Sequence, residues 1–351
     1  MSDIDIKKIN STIIITLTRE KVLNALNLNM VREIFKNIKK WDNDKDISGV
    51  IIKGSGDKSF CAGGDIVSVY HAKSETESIL SDSFFREEYI LNLAISNFSK
   101  PWISLLNGIA MGGGLGLSMH GKYRIVNNKT ITAMPETAIG LFPDVGGGHF
   151  LSKMGELGLF LALTGRVMDG LDSMYSGIGT HYIENEKIKH VYEKIINKSN
   201  YEHIFIEQLL NENSKELSEK DSLLCKELEN IKKHFCRTNL VEIFDSLKND
   251  NSEWAKKTLS VLSKKSPTSM SVAIKQLGLA KNITLKECLA MEFRICQAMM
   301  SKHDFYEGVR ANLVDKDRNP KWYPASIFEV SEEIINSHFH SLNEKELFSD
   351  E

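Results

Sequence analysis

The sequence predicts an α/β core followed by a helical C-terminal region, and three observations lead to this fold class. Glycine is concentrated in the first half, since 21 of the 23 glycines lie between Gly49 and Gly179. Proline is absent between Pro143 and Pro267. Short β-branched runs alternate with helical patterns before about residue 180, whereas longer amphipathic patterns follow it. We therefore expect tight turns in the first half and helices with short connections in the second.

Five strands are predicted in the first half, each a short apolar or β-branched run bounded by turn residues. They are 13–17, 49–52, 102–106, 123–126 and 130–133. A helix is predicted after the first strand, because apolar residues recur at helical spacing from Met30 to Trp41, with Asn27 or Asn29 as the N-cap. Further helical patterns cover 115–120, 150–163, 259–279 and 285–300.

The composition is that of an ordinary globular protein and excludes a disordered or fibrous chain. Among the 351 residues, 44 basic side chains against 47 acidic ones leave a net charge of −3. No strongly basic face is implied, so nucleic acid is not an expected partner. No apolar run approaches the ~18 residues of a membrane span, so no membrane partner is expected either.

The start of the chain lacks the features of a targeting segment. Two acids occur among the first five residues, and the first arginine is Arg19. We therefore expect a cytoplasmic protein, or a mitochondrial matrix protein if the chain is eukaryotic and its transit peptide has been removed. The five cysteines form no Cys-x-x-Cys pair, which indicates reduced thiols, and the ten histidines show no metal-ligand spacing, so no metal site is expected.

Three glycine-rich segments are candidates for chemistry: 59–66, 107–116 and 134–148. The second follows a predicted strand and precedes a helical pattern, so Gly112, Gly113 and Gly114 leave backbone N–H groups unshielded. Such groups stabilise a developing oxyanion, although one glycine-rich turn alone is more often a packing feature. Two such turns, each after a strand, favour a paired oxyanion site that polarises a thioester or ester carbonyl.

Two carboxylates follow prolines in the third segment, namely Glu136 and Asp144. An acid among apolar neighbours tends to have a raised pKa and can act as a general acid or base. A lone acid beside proline is usually a turn-former or a helix cap, but two such acids beside a Gly-Gly-Gly run balance the two interpretations. Glu87 and Glu88 lie on a helical pattern, where adjacent acids usually face solvent, and the residues alone do not choose between the four acids.

Together these segments resemble the crotonase (enoyl-CoA hydratase/isomerase) superfamily, and most closely its 3-hydroxyisobutyryl-CoA hydrolase branch. The resemblance is carried by 60–66, 84–89, 111–118 and 133–148, with further support from 161–165 and 317–322. It spans most of the chain and is weakest between about residues 185 and 255. It implies a crotonase-like spiral of ββα units with the CoA-thioester site, expected in 1–200, and a helical C-terminal region, expected in 201–351.

The resemblance also implies a CoA thioester as the substrate, with CoA as part of that substrate and no separate cofactor. The thioester oxygen is expected to accept from the N–H groups of Gly64 and Gly113. Glu136 and Asp144 are the expected catalytic acids, and Glu88 is expected to bind the 3-hydroxyl of the substrate. The remaining expected substrate-binding residues are Cys61, Ala62, Gly63, Asp65, Ile66 and Gly112.

One position separates the reactions within the superfamily. Enoyl-CoA hydratases use two glutamates to activate water, and the one after the Gly-Gly-Gly turn corresponds here to Gly116. Glycine cannot transfer a proton, so hydration of a C=C bond is disfavoured and thioester hydrolysis is favoured. Glu136 either activates water or attacks the carbonyl to form a mixed anhydride.

Other interpretations stay open from the sequence. They are a hydratase, an isomerase, a hydrolase of a related 3-hydroxyacyl-CoA, and a non-catalytic CoA-thioester binder or structural subunit. Acyl-chain preference is expected to depend on 185–255 or on loops such as 70–83. Superfamily members commonly associate through the helical region, so a homo-oligomer is an expected partner besides the acyl-CoA.

Overall fold

The computed structural model describes residues 3–72 and 78–349. The strands are β1 (Ile4–Ile9), β2 (Thr12–Leu17), β3 (Gly49–Gly54), β4 (Ser59–Cys61), β5 (Trp102–Leu105), β6 (Ile109–Met111), β7 (Tyr123–Val126), β8 (Ile131–Ala133), β9 (Met168–Asp169) and β10 (His181–Tyr182). The helices of the first half are α1 (Leu28–Asn43), α2 (Ile66–His71), α3 (Ser78–Ser96), α4 (Gly113–Met119), α5 (Gly147–Leu151), α6 (Glu156–Thr164) and α7 (Gly170–Tyr175).

Helices dominate the second half, as the glycine and proline distribution predicts. They are α8 (Asn185–Ile196), α9 (His203–Asn213), α10 (Leu223–Phe235), α11 (Leu240–Lys248), α12 (Glu253–Leu262), α13 (Pro267–Ala280), α14 (Leu285–Met300), α15 (His303–Val309) and α16 (Glu332–Ser337). The predicted α/β core with a helical C-terminal region is therefore confirmed.

The chain divides into two compact units, each built from three stretches. The first comprises Met1–Asp65, Ile90–Thr132 and Val167–Lys226, and the second comprises Ile66–Tyr89, Ala133–Arg166 and Glu227–Glu351. The first unit contains nearly all of the strands, whereas helices make up most of the second.

The first unit is built on two sheets. The larger has the strand order β1-β2-β3-β5-β7-β10, in which β1 and β2 are antiparallel and the other neighbours are parallel. The smaller has the order β4-β6-β8-β9, in which β4 and β6 are parallel and β8 and β9 are antiparallel. The β-branched residues of β2 and β3 explain this placement, because such side chains pack well on a buried pleated surface.

One face of the larger sheet packs against α8 and α9. Ile14, Ile51 and Ile103 are register partners on three neighbouring strands and lie in one buried cluster. Ile206 and Leu210 of α9 belong to the same cluster. The weakly matched start of the second half thus contributes directly to the core of the first unit.

Two helical patterns differ from their predicted extents. The 259–279 pattern is two helices, because α12 ends at Leu262 and α13 begins at Pro267. Proline fixes φ and lacks an N–H, which suits the first position of a helix, and the Ser266 side chain caps that helix by accepting from the Ser269 N–H at 3.1 Å. The 150–163 pattern is interrupted by Gly155. Its φ of +60° ends the 3-10 turn Ser152–Met154, which follows α5 and precedes α6.

Several local predictions are confirmed. The five predicted strands correspond to β2, β3, β5, β7 and β8, and the 285–300 pattern corresponds to α14. Asn27 is the cap of α1, since its side chain accepts from the Met30 N–H at 3.0 Å. The expected loop at 70–83 is only partly a loop: α2 ends at His71, α3 begins at Ser78, and 73–77 lie outside the described residues.

No helix among the described residues is long and apolar enough to cross a membrane.

Candidate active site

The first two glycine-rich segments are neighbours in the first unit because each contains one of two paired strands. Strands β4 and β6 are parallel, with Ser59 opposite Ile109 and Cys61 opposite Ala110. Parallel strands end at the same edge of a sheet, so the turns after β4 and β6 emerge side by side. The pairing of β4 and β6, two short strands that were not among those predicted, places the two N–H-rich turns together.

The close approach of the two turns requires glycine. A Cβ atom on Gly114 would lie 2.1 Å from the carbonyl oxygen of Cys61, which no side chain could accommodate. Gly63 has a φ of +122° and Gly112 a φ of +46°, values that L side chains rarely adopt. These glycines are therefore fixed by geometry and bring the backbones of the two turns into contact.

The turns leave the N–H groups of Gly64 and Gly113 available. Gly64 forms a bridge with Leu26 that uses the carbonyl of Gly63 and the N–H of Asp65, at 2.8 Å each, and leaves its own N–H out. Gly113 is the first residue of α4, where a helix has no internal acceptor for the N–H. The described residues offer neither group an acceptor, which suits a pair of donors for an external oxygen.

The other residues expected near CoA have structural partners. Asp65 accepts from the Arg19 guanidinium at 2.8 Å, and the Ala62 N–H donates to the carbonyl of Leu23 at 3.0 Å. The Cys61 thiol is buried, and its Sγ lies 3.5 Å from the carbonyl oxygen of Gly63. Ile66 opens α2 and belongs to the second unit. Their roles in binding CoA remain predictions.

The second unit brings the three predicted acids together. Glu88 on α3, Glu136 on a 3-10 turn after β8, and Asp144 in the glycine-rich loop are 1%, 5% and 4% exposed. Glu88 is thus a core residue and not part of the solvated face that adjacent helical acids usually form. The hydroxyl of Tyr89 donates to Asp144 Oδ2 at 2.9 Å.

Burial dominates the electrostatics of these acids. It raises the pKa of Asp144 to about 7, although the hydrogen bond from Tyr89 opposes the shift. It also raises the pKa of Glu88 and of Glu136 well above the usual range, and the charge of Asp144 adds to both shifts. With a pKa of about 7, Asp144 can exchange a proton near neutral pH, which is what general acid–base catalysis needs.

Two of the carboxyl groups are incompletely hydrogen-bonded. Oε1 of Glu88 and Oε2 of Glu136 are buried and have no hydrogen-bond partner among the described residues. An unpaired buried oxygen is costly, and in an active site a bound substrate can supply the missing partner. Lys265 lies close enough for its charge to favour ionised Glu136, while burial lowers the pKa of the lysine to about 8.

A fourth buried acid, Glu292 on α14, was not predicted. Its carboxylate accepts from the N–H groups of Gly146 at 2.7 Å and Gly148 at 2.8 Å. The available signal is that Glu292 interrupts an apolar stripe of α14 between Cys288 and Cys296, at spacings of four residues. A charged residue in such a stripe is buried only with partners, and here the partners are backbone groups of the Gly-Gly-Gly run.

Gly116 occupies the position at which enoyl-CoA hydratases are expected to have a glutamate. Gly116 is buried in the first turn of α4, in the first unit, and carries no group that could transfer a proton. Across residues 3–72 and 78–349, no three His, Cys, Asp or Glu side chains are arranged to hold a metal ion.

The chain matches known proteins along nearly its whole length. The enoyl-CoA hydratase/isomerase family profile matches residues 12–339. The mitochondrial 3-hydroxyisobutyryl-CoA hydrolase of Danio rerio is 46% identical over 99% of this chain and 91% of its own length, and the human enzyme is 45% identical over 97% and 89%.

Solved structures share the fold. A carnitinyl-CoA dehydratase from Mycobacterium thermoresistibile aligns with a TM-score of 0.92 at 32% identity, covering 100% of this chain and 99% of that one. An enoyl-CoA hydratase from Rhodobacter sphaeroides aligns with a TM-score of 0.89 at 31% identity, covering 99% of each chain. The predicted crotonase-like fold is confirmed, and the chain belongs to the enoyl-CoA hydratase/isomerase (crotonase) family.

Proposed function

We propose that this protein hydrolyses 3-hydroxyisobutyryl-CoA to 3-hydroxyisobutyrate and CoA, a step of valine catabolism. The observation that carries this proposal is the set of buried acids with raised pKa values, Glu88, Glu136 and Asp144, in a chain that has Gly116 where a hydratase has its first glutamate. The vertebrate relatives at 45–46% identity bear the name of this hydrolase.

The N–H groups of Gly64 and Gly113 bind the carbonyl oxygen of the thioester in this proposal. Negative charge grows on that oxygen as the carbonyl is attacked, and each fixed donor is worth about 2.7–4 kcal/mol in other oxyanion holes. The stretch Cys61–Ile66 and Gly112 contact the CoA part of the substrate. Glycine is required where the two turns touch each other, because a Cβ atom on Gly114 would collide with the backbone of Cys61.

Glu136 provides the attacking group, either as the base that activates water or as a nucleophile that forms a mixed anhydride. Asp144 assists the proton transfer, and its pKa of about 7 allows it to gain and lose a proton near neutral pH. The leaving CoA thiolate takes a proton as the C–S bond breaks. One water supplies both this proton and the hydroxyl group of the acid product. It attacks the thioester directly when Glu136 is the base, and it attacks the mixed anhydride when Glu136 is the nucleophile.

Glu88 sets specificity by accepting a hydrogen bond from the 3-hydroxyl of the substrate. Its buried Oε1 has no partner in the described protein, so an analogue that lacks the hydroxyl leaves a costly unpaired group. Sites of this kind reject such analogues by large factors, in some enzymes about 10⁴-fold.

The test is release of free thiol from 3-hydroxyisobutyryl-CoA, run beside isobutyryl-CoA and crotonyl-CoA. Rapid release from the hydroxylated substrate alone supports both the reaction and the role of Glu88. Consumption of crotonyl-CoA without thiol release would instead mean that Glu136 alone supports hydration. That second function is favoured by the dehydratase and hydratase names of the structural relatives at 31–32% identity.

The location and assembly of the enzyme form part of the proposal. The relatives are named as mitochondrial proteins. We place this chain in the mitochondrial matrix if it is eukaryotic and in the cytoplasm if it is bacterial, and we expect it to form a homo-oligomer. Fractionation of the source cells and sedimentation of the purified protein test the two statements.

A further inference from the structure

Glu292 is held entirely by donors from the protein. Oε2 accepts from the Gly146 N–H at 2.7 Å, and Oε1 accepts from the Gly148 N–H at 2.8 Å and from Gln276 Nε2 at 2.9 Å. The Cys288 thiol also donates to Oε1 at 3.4 Å. Glu292 is fully buried, so these bonds, and not solvent, balance its carboxyl group.

Gln276 connects Glu292 to the beginning of the same loop. Its Nε2 donates both to Glu292 and, at 2.7 Å, to the carbonyl oxygen of Pro143. Side chains from two helices, α13 and α14, therefore hold both ends of the segment Pro143–Gly148. We call Gln276 and Glu292 the loop clamp.

The clamped segment combines an internal backbone hydrogen bond, from the Gly147 N–H to the carbonyl oxygen of Asp144 at 2.6 Å, with a strained backbone. Val145 has a φ of +51°, a left-handed conformation that is strained for a β-branched residue. Such a conformation persists only where the surroundings impose it. The residue that precedes Val145 is Asp144, whose carboxyl group accepts from Tyr89 at 2.9 Å.

We propose that the loop clamp is a pair of positioning residues that hold the carboxyl group of Asp144 in its reactive orientation. This inference rests on the proposed hydrolase function for the role of Asp144. The hydrogen bonds from the clamp to this loop reach only backbone atoms of Pro143, Gly146 and Gly148, while the bond from Cys288 lies within α14. The clamp therefore acts on Asp144 through the loop backbone, and the charge of Glu292 also raises the pKa of Glu136.

The Glu292→Gln variant tests the clamp with little change in volume. The new amide group places an N–H donor against one of the two glycine N–H groups, so one of the two loop bonds is lost. We expect kcat for thiol release to fall at least about tenfold with KM changed less than about twofold, because the loss affects the reactive group and not CoA binding.

The matched control is Glu287→Gln on the same helix. Glu287 is exposed and only caps the start of α14, where it accepts from the Thr284 N–H at 2.8 Å. We expect its kcat and KM to equal those of the wild type. Gln276→Met is a second variant that removes both bonds of Gln276, and it should lower kcat in the same way and combine with Glu292→Gln less than additively.

Hydrogen exchange of the loop separates this proposal from the proposed function. Amides of the peptide that covers residues 141–151 should exchange faster in Glu292→Gln and Gln276→Met than in the wild type. The exchange rates of the amides in α14 should not change. Faster exchange with an unaltered kcat overturns the positioning role, and unaltered exchange overturns the clamp itself. A wild-type protein that releases no thiol overturns the hydrolase function, while the exchange measurement still decides whether the clamp exists.

Discussion

The acids of the candidate site are stabilised in the protonated form, and this has a cost that depends on pH. Burial raises the pKa of Glu136 above its value in the unfolded chain. Folding therefore favours the protonated group, and the stability that this supplies is lost as pH rises through the folded pKa. Removing the negative charge of Glu136 should therefore stabilise the folded protein at high pH.

We expect Glu136→Gln to abolish thiol release while leaving the protein folded. Its melting temperature should exceed that of the wild type at pH 8, and the difference should shrink as pH falls towards 5, because the wild-type carboxyl group is then protonated too. Thermal unfolding across this pH range checks the sign. A large drop in melting temperature with near-normal activity would contradict the catalytic role.

Tyr89 should tune the pH dependence of the reaction. Its hydroxyl lowers the pKa of Asp144, so Tyr89→Phe should raise that pKa further above the wild-type value of about 7. If Asp144 works as a base, kcat/KM at pH 6 should fall more than kcat/KM at pH 8.5. Tyr201→Phe is the control, because it also removes a buried hydroxyl, 2.9 Å from Thr12, in the other unit. Equal losses at both pH values would contradict the effect on Asp144.

At the level of single residues, the most useful sequence signal was a carboxylate next to a proline or glycine turn. Glu136 and Asp144 were candidates because each follows a proline in a glycine-rich segment, but their choice as the catalytic acids came from the family resemblance. Glu88 could be chosen over Glu87 only through the family resemblance, since the residues alone favoured a solvated face. Glu292 lay outside prediction because its partners are backbone N–H groups more than 140 residues away, and no local pattern encodes such contacts.

Among the elements, the junction between β4 and α4 is highly sensitive to side-chain volume. We expect Gly114→Ala to separate the two turns, because its Cβ would lie 2.1 Å from the Cys61 carbonyl oxygen, and so to lower kcat/KM strongly. Gly278→Ala is the control, since its Cβ meets nothing within 4 Å and alanine is the better residue inside α13. That variant should be active and up to about 1 kcal/mol more stable. Normal activity in Gly114→Ala would contradict the paired-turn geometry.

The helices show what periodicity can and cannot establish. The 285–300 pattern predicted α14 correctly because no breaker lies within it and Thr284 with Glu287 forms a capping box. The 259–279 pattern hid a break, because the apolar period continues across the four residues between α12 and α13. Pro267 was the signal of that break, and it outweighs the periodicity.

Across the whole molecule, the core of the first unit depends on α9, which the resemblance covers only weakly. We expect Leu210→Ala to destabilise the protein by about 2–5 kcal/mol, because Leu210 is fully buried in the cluster on the larger sheet. Ile204→Ala on the same helix is the control and should cost little, since Ile204 is 68% exposed. Urea denaturation measures both, and similar values for the two variants would contradict the placement of α9.

The sequence predicted the change from an α/β region to a helical region, but it did not predict the bounds of the two compact units. The fold class followed from the glycine distribution, but the compact units are each discontinuous, and no composition shift marks their boundaries. The division into a catalytic core, 1–200, and a helical region, 201–351, remains a prediction about function. Long-range pairing of stretches is set by packing, which a single sequence does not display.

The loop clamp bears on how far this catalytic segment could be moved between proteins. A designer who copied Pro143–Gly148 onto another scaffold would transfer Asp144 and the strained Val145 without the two helices that impose their conformation. The hydrogen bond from the Gly147 N–H to the carbonyl oxygen of Asp144 would remain in the graft, but the support from the two helices would be lost, so we expect Asp144 to lose its orientation. The transplantable unit is therefore the loop together with α13 and α14, so that in engineering terms the smallest module that carries this chemistry is three-dimensional and not a stretch of sequence.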